Sequence, residues 1–338
     1  RSTNIGQLKD LLDEEEVEFL SKLKARKETF SGSLNTAAEL PDWLIEVMSK
    51  HLSEQEILAF GRSVNQPAPL DVRVNLLKGR RDKILADLFA EGLVAEATPY
   101  SPWGIRFRDK IALNKHPLFL NGTLEVQDEG SQLLALLTGA KRGEIVVDFC
   151  AGAGGKTLAI GAMMANKGRI YAFDVAEKRL ANMKPRMTRA GVTTIHPQRI
   201  DNEHDARIDR VHGKADRVII DAPCSGLGTL RRNPDLKYRQ SPETLKDLIE
   251  IQASILQASA ALVKSGGRLV YATCSVLPQE NEQQVERFLA NNPDWILLDC
   301  ATLLKSYKIN LDTGVYLRLD SGEHKTDGFF AAVLEKQA

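Results

Sequence analysis

Two cysteines stand in matched settings. Cys224 follows the run ADRVIIDAP and Cys274 follows GGRLVYAT; each comes after a short apolar, β-branched stretch and each is followed by a serine. Such stretches read as strands buried on both faces. If both belong to one parallel sheet, their carboxyl ends open on the same crevice, and the two thiols meet there. A free cysteine is ordinarily a small buried hydrophobe, so either alone is weak; two at neighbouring strand ends point to chemistry. A third strand-like run, Ile145–Val147, breaks into a loop holding Gly152, Gly154 and Gly155, and a helical pattern resumes at Lys156. A strand, a glycine turn and a helix start let a ligand approach the backbone closely and offer it unpaired N–H groups.

Two ligands compete for that turn. CAGAGGKT carries the second half of a phosphate loop in Gly155-Lys156-Thr157, but Cys150 stands where the first glycine belongs. The alternative is a nucleoside cofactor, whose ribose is bound by an acid about 20 residues further on. Asp174 ends the next strand-like run, RIYAFD, at that place. A carboxylate suits ribose hydroxyls and repels a polyphosphate, so the nucleoside is preferred.

A thiol beside a nucleoside cofactor suits methylation of a pyrimidine. Carbon 5 is a poor nucleophile until a thiolate adds to carbon 6; the resulting enamine takes a methyl group from a sulfonium, a base removes the carbon 5 proton, and the thiol is eliminated. A free cysteine with pKa ~8.5 is mostly protonated at neutral pH, so the site must favour the thiolate. Lys156 is a candidate cation for that. Asp221, just upstream of Pro223-Cys224, is placed to hydrogen-bond the pyrimidine edge or the cofactor, although a turn cap is the plainer reading.

The elements that position these residues follow from periodicity. Strands alternate with helices from Glu125 on, which predicts an α/β domain over 126–338 with a doubly wound, mostly parallel, Rossmann-like sheet. A helix is expected from about Pro242 to Lys264 and late strands near Trp295–Leu298 and Phe329–Leu334. Residues 1–65 read as helices, LKDLLDEEEVEFLSKL among them. Residues 66–125 read as a small α+β unit, with a strand at DVRVNLL and a helix at DKILADLFAEG closed by Gly92. In it Arg73, Arg80, Arg81, Arg106 and Arg108, with Tyr100, Trp103 and Phe107, suit an RNA-binding face, and equally suit solvated charge around an ordinary core.

Composition excludes several classes. The 338 residues are 43% hydrophobic and balance to zero net charge, so a polyanion would need a local patch. Four cysteines without a C-x-x-C make no metal site or disulfide framework expected. No apolar run approaches ~18 residues and no signal peptide is visible, so a cytoplasmic protein without a membrane partner is expected. Because the chain begins at Arg1, an N-terminal piece is expected to be missing. Oligomeric state cannot be read.

CAGAGGKT, Asp174, DAPCSGLG with the following RRNPD, YATCSVLPQEN and the terminal DGFF together resemble the Sun/Nop2-type RNA cytosine-5 methyltransferases, most of all the bacterial Fmu/Sun branch acting on small-subunit ribosomal RNA. The likeness runs from about Trp43 to the C-terminus. Where the family usually has Ala-Pro this chain has Gly152-Ala153. The resemblance implies S-adenosylmethionine as cofactor, with contacts at Cys150, Ala151, Gly152, Ala153, Gly154, Gly155, Lys156, Asp174, Asp201 and Asp221. It also implies Cys274 as nucleophile and Cys224 as the helper in product release; spacing leaves the reverse open. Arg231, Arg232 and Asn233, directly after the PCS loop, are expected on RNA phosphate or a flanking nucleotide. The target base must be single-stranded or extruded to enter the pocket. Ribosomal RNA is favoured as partner and transfer RNA is the alternative; a ribosome assembly factor with a vestigial site and a phosphate-loop hydrolase are the competing classes.

Overall fold

The structure, a computed structural model, describes residues 12–29, 32–109 and 111–338. The chain divides into two compact units at Gly61/Arg62. The first is helical: α1 (Glu14–Thr29), α2 (Leu34–Ala38), α3 (Asp42–Met48) and α4 (Glu54–Val64). The expected start of the first helix, residues 8–11, lies outside the described residues. A capping box opens α4, with Ser53 N donating to Glu56 Oε2 at 2.8 Å and Glu56 N to Ser53 Oγ at 3.4 Å.

The second unit carries two sheets. In the smaller, β1 (Leu70–Val74), β2 (Ala95–Ala97), β3 (Gly104–Phe107) and β4 (Leu124–Val126) pair antiparallel in the order β2-β3-β1-β4. With α5 (Arg81–Ala90) after β1 and a single turn, α6 (Pro117–Leu120), before β4, this is a ferredoxin-like arrangement. Val72, Val74, Ile84, Leu88, Ile105, Phe107 and Leu124 form its core.

That core corrects the expected basic-aromatic face. Phe107 and Trp103 are buried, so neither is free to stack on a base. Arg73 is also buried and donates from Nε to Gln127 Oε1 at 2.7 Å. Arg106 lies opposite Asp71 in the β1/β3 register and makes two 2.7 Å bonds to its carboxylate. Arg81, half-buried, donates to the Ser101 carbonyl at 2.8 Å. Only Arg80 and Arg108 of the five are exposed.

The larger sheet begins after α7 (Glu129–Leu137) with β5 (Ile145–Asp148), α8 (Gly155–Met163), β6 (Arg169–Asp174), α9 (Glu177–Ala190) and β7 (Ile195–Arg199). It continues with β8 (Ala215–Asp221), α10 (Leu236–Arg239), α11 (Pro242–Ala260), β9 (Val263–Thr273), α12 (Glu282–Asn291), β10 (Trp295–Leu298), α13 (Cys300–Ser306), β11 (Leu317–Leu319) and β12 (Phe329–Lys336). The order is β10-β12-β9-β8-β5-β6-β7, with β11 also on β12. Strands β5 to β9 are parallel; β12 runs antiparallel to β9, β10 and β11.

After β7 the chain returns to lay β8 on the other side of β5, so the strand order reverses between them and opens a crevice at their carboxyl ends. Alternation along β5 sends Val146 into one hydrophobic layer and Val147 into the other. The helix expected to reach Lys264 stops at Ala260. Val263 is already in β9, paired with Ala215, because the strand buries Val263 completely.

Candidate active site

The strand ends supply the reactive groups. Cys224 Sγ and Cys274 Sγ lie 3.4 Å apart, beyond β8 and β9 respectively. Both border a crevice of about 690 Å³ together with Gly152, Lys156, Asp174 and Asp221. That volume is ordinary for a cofactor-sized ligand.

Lys156, in the first turn of α8, donates to Asp221 Oδ2 at 2.6 Å, at the end of β8. Burial works to lower the Lys156 pKa, but the Asp221 charge and hydrogen bond, with Asp148 and Cys274 nearby, outweigh it and raise it. An ammonium therefore persists beside the thiols. The hydrogen bond with Cys274, then burial, pushes the Cys224 thiol well above its usual range, so the two sulfurs retain a proton between them. Either sulfur can donate to the other across the 3.4 Å contact. Cys150 also lines the crevice, but burial raises its pKa too, which leaves it an inert thiol.

The glycine turn is held from behind. Gly154 is the N-cap of α8 at φ +85°, and a Cβ there would lie 2.6 Å from Met183 Cγ, so it shapes the turn and is not part of the crevice wall. Cys150, Ala151, Gly152, Ala153 and Gly155 are on the wall. Asp174, buried at the end of β6, accepts from Gly152 N and from Ala176 N, each at 2.7 Å. Oδ2 has a second acceptor site left for a ribose hydroxyl, while Oδ1 also faces Arg179 Nη2 at 3.4 Å. Asp201 reaches the crevice rim from just past β7; it is exposed and paired with Arg207 at 2.6 Å and Arg199 at 2.8 Å.

Several residues not expected from the sequence complete the pocket. Val175 and Ile251 are exposed apolar side chains facing the crevice, and Asn202 lies on its rim. Asp148, at the end of β5, accepts from Thr157 Oγ1 at 2.6 Å through Oδ2, while its buried Oδ1 has no partner. An apolar ledge beside Asp174, free N–H groups in the turn, and an orphaned buried acceptor fit a nucleoside bearing a cationic tail. Val175 was legible, being the residue after Asp174; Ile251 sits on α11, far away in the chain.

The expected RNA contacts require a correction. Arg231 has only 3% of its side chain exposed; its Nε donates to Asp327 at 2.7 Å and its Nη2 lies 3.6 Å from Asp128. Arg232 binds the same two acids, at 2.9 Å for Asp128, and keeps about a third of its side chain exposed. The pair ties the PCS loop to the segment before β12, so Arg231 is an internal clamp. Asn233 is exposed.

A wound sheet in this order, with antiparallel β12 beside β9 and the crevice at its switch point, is a Rossmann-like methyltransferase sheet. Comparison with known proteins narrows the class. Residues 135–335 match the family described as 16S rRNA methyltransferase RsmB/F, and residues 40–114 match the ferredoxin-like domain of RsmF/B-like methyltransferases. The chain belongs to the RsmB/F family. It is 37% identical over 305 residues to a probable ribosomal RNA small subunit methyltransferase B of Synechocystis sp., covering 90% of this chain and 68% of the relative. Against a probable ribosomal RNA small subunit methyltransferase B of Bacillus subtilis it is 34% identical, covering 78% of this chain but only 58% of that protein. The crystal structure of a methyltransferase homologue from Pyrococcus horikoshii superposes with a TM-score of 0.72 at 27% identity, covering 88% of this chain and 99% of that one. No helix among the described residues is long and apolar enough to cross a membrane.

Proposed function

We propose that the protein methylates carbon 5 of a cytosine in ribosomal RNA, using S-adenosylmethionine and a covalent adduct on Cys274. The observation that carries this reading is the pair of thiols 3.4 Å apart at the crevice, beside the Lys156–Asp221 ion pair. When bound, S-adenosylmethionine supplies a methyl group on a sulfonium. The turn from Cys150 to Gly155, with Asp174 and the apolar edge of Val175, would hold its nucleoside, and Asp148 and Asp201 would serve its remaining polar groups.

Cys274 Sγ, as thiolate, bonds to carbon 6 of the base and makes carbon 5 nucleophilic. Lys156 stabilises that thiolate before attack, and Asp221 accepts from the pyrimidine edge through the lone pairs Lys156 leaves free. After methyl transfer, the carbon 5 proton leaves to a base, the carbon 6–sulfur bond breaks, and the electron pair returns to Cys274. Cys224, as a thiol, donates to the departing sulfur. The charge of Lys156, which acts on Cys274, supports this division of roles over the reverse one.

The test is adduct trapping on denaturing gels with labelled cofactor and ribosomal RNA from cells lacking the protein. Cys224→Ala accumulates an RNA-linked species, Cys274→Ala forms none, and the wild type leaves methyl label at a mappable cytosine. The opposite pattern in the two variants exchanges the thiols' roles. Absence of both adduct and transfer overturns the reading.

A further inference from the structure

Each reactive cysteine is followed by a serine, and both serines end on one carboxylate. Glu280 is fully buried in the turn after the TCS loop. Its Oε1 accepts from Ser225 N at 2.8 Å and from Gln252 Nε2 at 2.9 Å. Its Oε2 accepts from Ser225 Oγ at 2.5 Å and from Ser275 Oγ, and the two hydroxyl oxygens lie 3.2 Å apart. The carboxylate's own backbone is fixed in turn. Tyr271 Oη donates to the Glu280 carbonyl at 2.7 Å, and Asn281 Nδ2 donates to the Ser275 carbonyl at 3.1 Å.

We infer that Glu280 is the positioning residue that sets the distance between Cys224 and Cys274, acting through Ser225 and Ser275. Three features carry this. The carboxylate joins the loop after β8 to the loop after β9, which beyond the Asp221/Ala272 pair share a further backbone bond, Gly228 N to the Cys274 carbonyl at 2.9 Å, well past Cys224 in the chain. All four bonds to it come from neutral donors, and none of the salt bridges among the described residues reaches it. Burying a carboxylate without a cation is costly, a cost that a merely space-filling role would not require. Finally, only an acceptor-only group serves four donors at once; a glutamine turns two of its own donors against them. The negative charge of Glu280 also contributes to holding the Cys224 proton in place. Glu280 itself does not border the crevice, so its effect reaches substrate only through the thiols. The catalytic consequence rests on the covalent reading above; the spacing of the thiols does not.

Phenylarsine oxide measures that spacing without any RNA. It condenses with two adjacent thiols, forming two arsenic–sulfur bonds and releasing one water. Wild-type protein captures the arsenical and Cys274→Ala does not. Glu280→Gln, compared with wild type, loses capture affinity by about tenfold or more and single-turnover methyl transfer by roughly 10²-fold, the scale of a reacting group misplaced by an ångström. Its cofactor Kd and RNA KM stay within about threefold, the pattern of a loss confined to the chemical step. Glu280→Asp, still acceptor-only, recovers part of both. Ser275→Ala removes one arm of the clamp and carries the test if Glu280→Gln does not fold. A folded Glu280→Gln that keeps both capture and transfer at wild-type levels overturns the inference. Loss of capture in a protein whose wild type never methylates RNA leaves the clamp standing and removes the proposed reaction instead.

Discussion

Asp148 gives the crevice a pH signature of its own. Burial pushes its carboxyl up to about 7, against the opposing Thr157 hydrogen bond and Lys156 charge. A folded-state value above the unfolded one means the fold favours the protonated acid. Its stabilising share is complete below the ordinary aspartate value of 3.8 and is lost as pH rises through about 7. Holding the charged form costs up to about 4 kcal/mol at high pH. Asp148→Asn, which still accepts from Thr157, is therefore expected to melt above the wild type at pH 8, with the two curves converging toward pH 4. Thermal denaturation across that range checks it; a constant gap would mean that the side chain's shape matters and its charge does not. That Cys224, Cys274, Lys156, Asp174 and Asp221 meet in one crevice was legible because motif and strand end coincide. Arg231 was not legible as a clamp, because its partner Asp327 is 96 residues away in the chain and nothing local announces it. Glu280 hid for the same reason, although it stands inside the YATCSVLPQEN motif.

Among the elements, α9 links the small sheet to the glycine turn. Glu125, at the centre of β4, binds Arg186 at 3.3 Å and Arg189 at 2.8 Å, both on α9, and Arg186 donates to the Ala153 carbonyl in the turn. The ferredoxin-like sheet thus holds one wall of the cofactor site without lining it. Glu125→Gln frees Arg186, and cofactor affinity by calorimetry is expected to fall about fivefold, on the order of 1 kcal/mol for one such contact. An unchanged Kd would mean that Asp174 and Gly154 suffice to set the turn. A second element contact explains two motifs at once. Gly228 of the PCS loop and Gly328 before β12 cross backbone to backbone, Gly328 N donating to Gly228 O at 2.7 Å, and a Cβ on Gly228 would lie 2.2 Å from Gly328 O. Gly228→Ala is expected to cost about 2–3 kcal/mol as overpacking against rigid backbone, read as a lower melting temperature. Sequence periodicity placed the parallel strands well, because buried parallel strands are nearly continuous apolar runs. It gave no sign of β11, three residues long with an arginine in the middle, and overran α11 because Ala-Ala-Leu-Val-Lys suits helix and strand alike.

For the molecule as a whole, the decisive number is a net charge of zero on a protein whose family acts on 16S rRNA. The alternation of strands and helices was enough to read the wound sheet and the helical start, because each element's period is local. The charge distribution was not readable, because it depends on which arginines find acids. Arg73, Arg106 and Arg231 are turned inward, two of them onto Asp71 and Asp327, so they hold the structure and do not present a positive field. Lysines and arginines are exposed elsewhere, Lys141, Arg142, Lys167 and Arg169 among them, but of the arginines expected to contact RNA only Arg80 and Arg108, with part of Arg232, remain exposed. Each neutralised phosphate contributes about −0.7 to −0.9 to the slope of log K against log salt concentration, so a slope shallower than about −4 is expected for this chain on ribosomal RNA fragments. Filter binding between low and moderate salt measures it. A much steeper slope would require a continuous basic track, which paired arginines cannot supply, and would move recognition away from the face that carries the thiols.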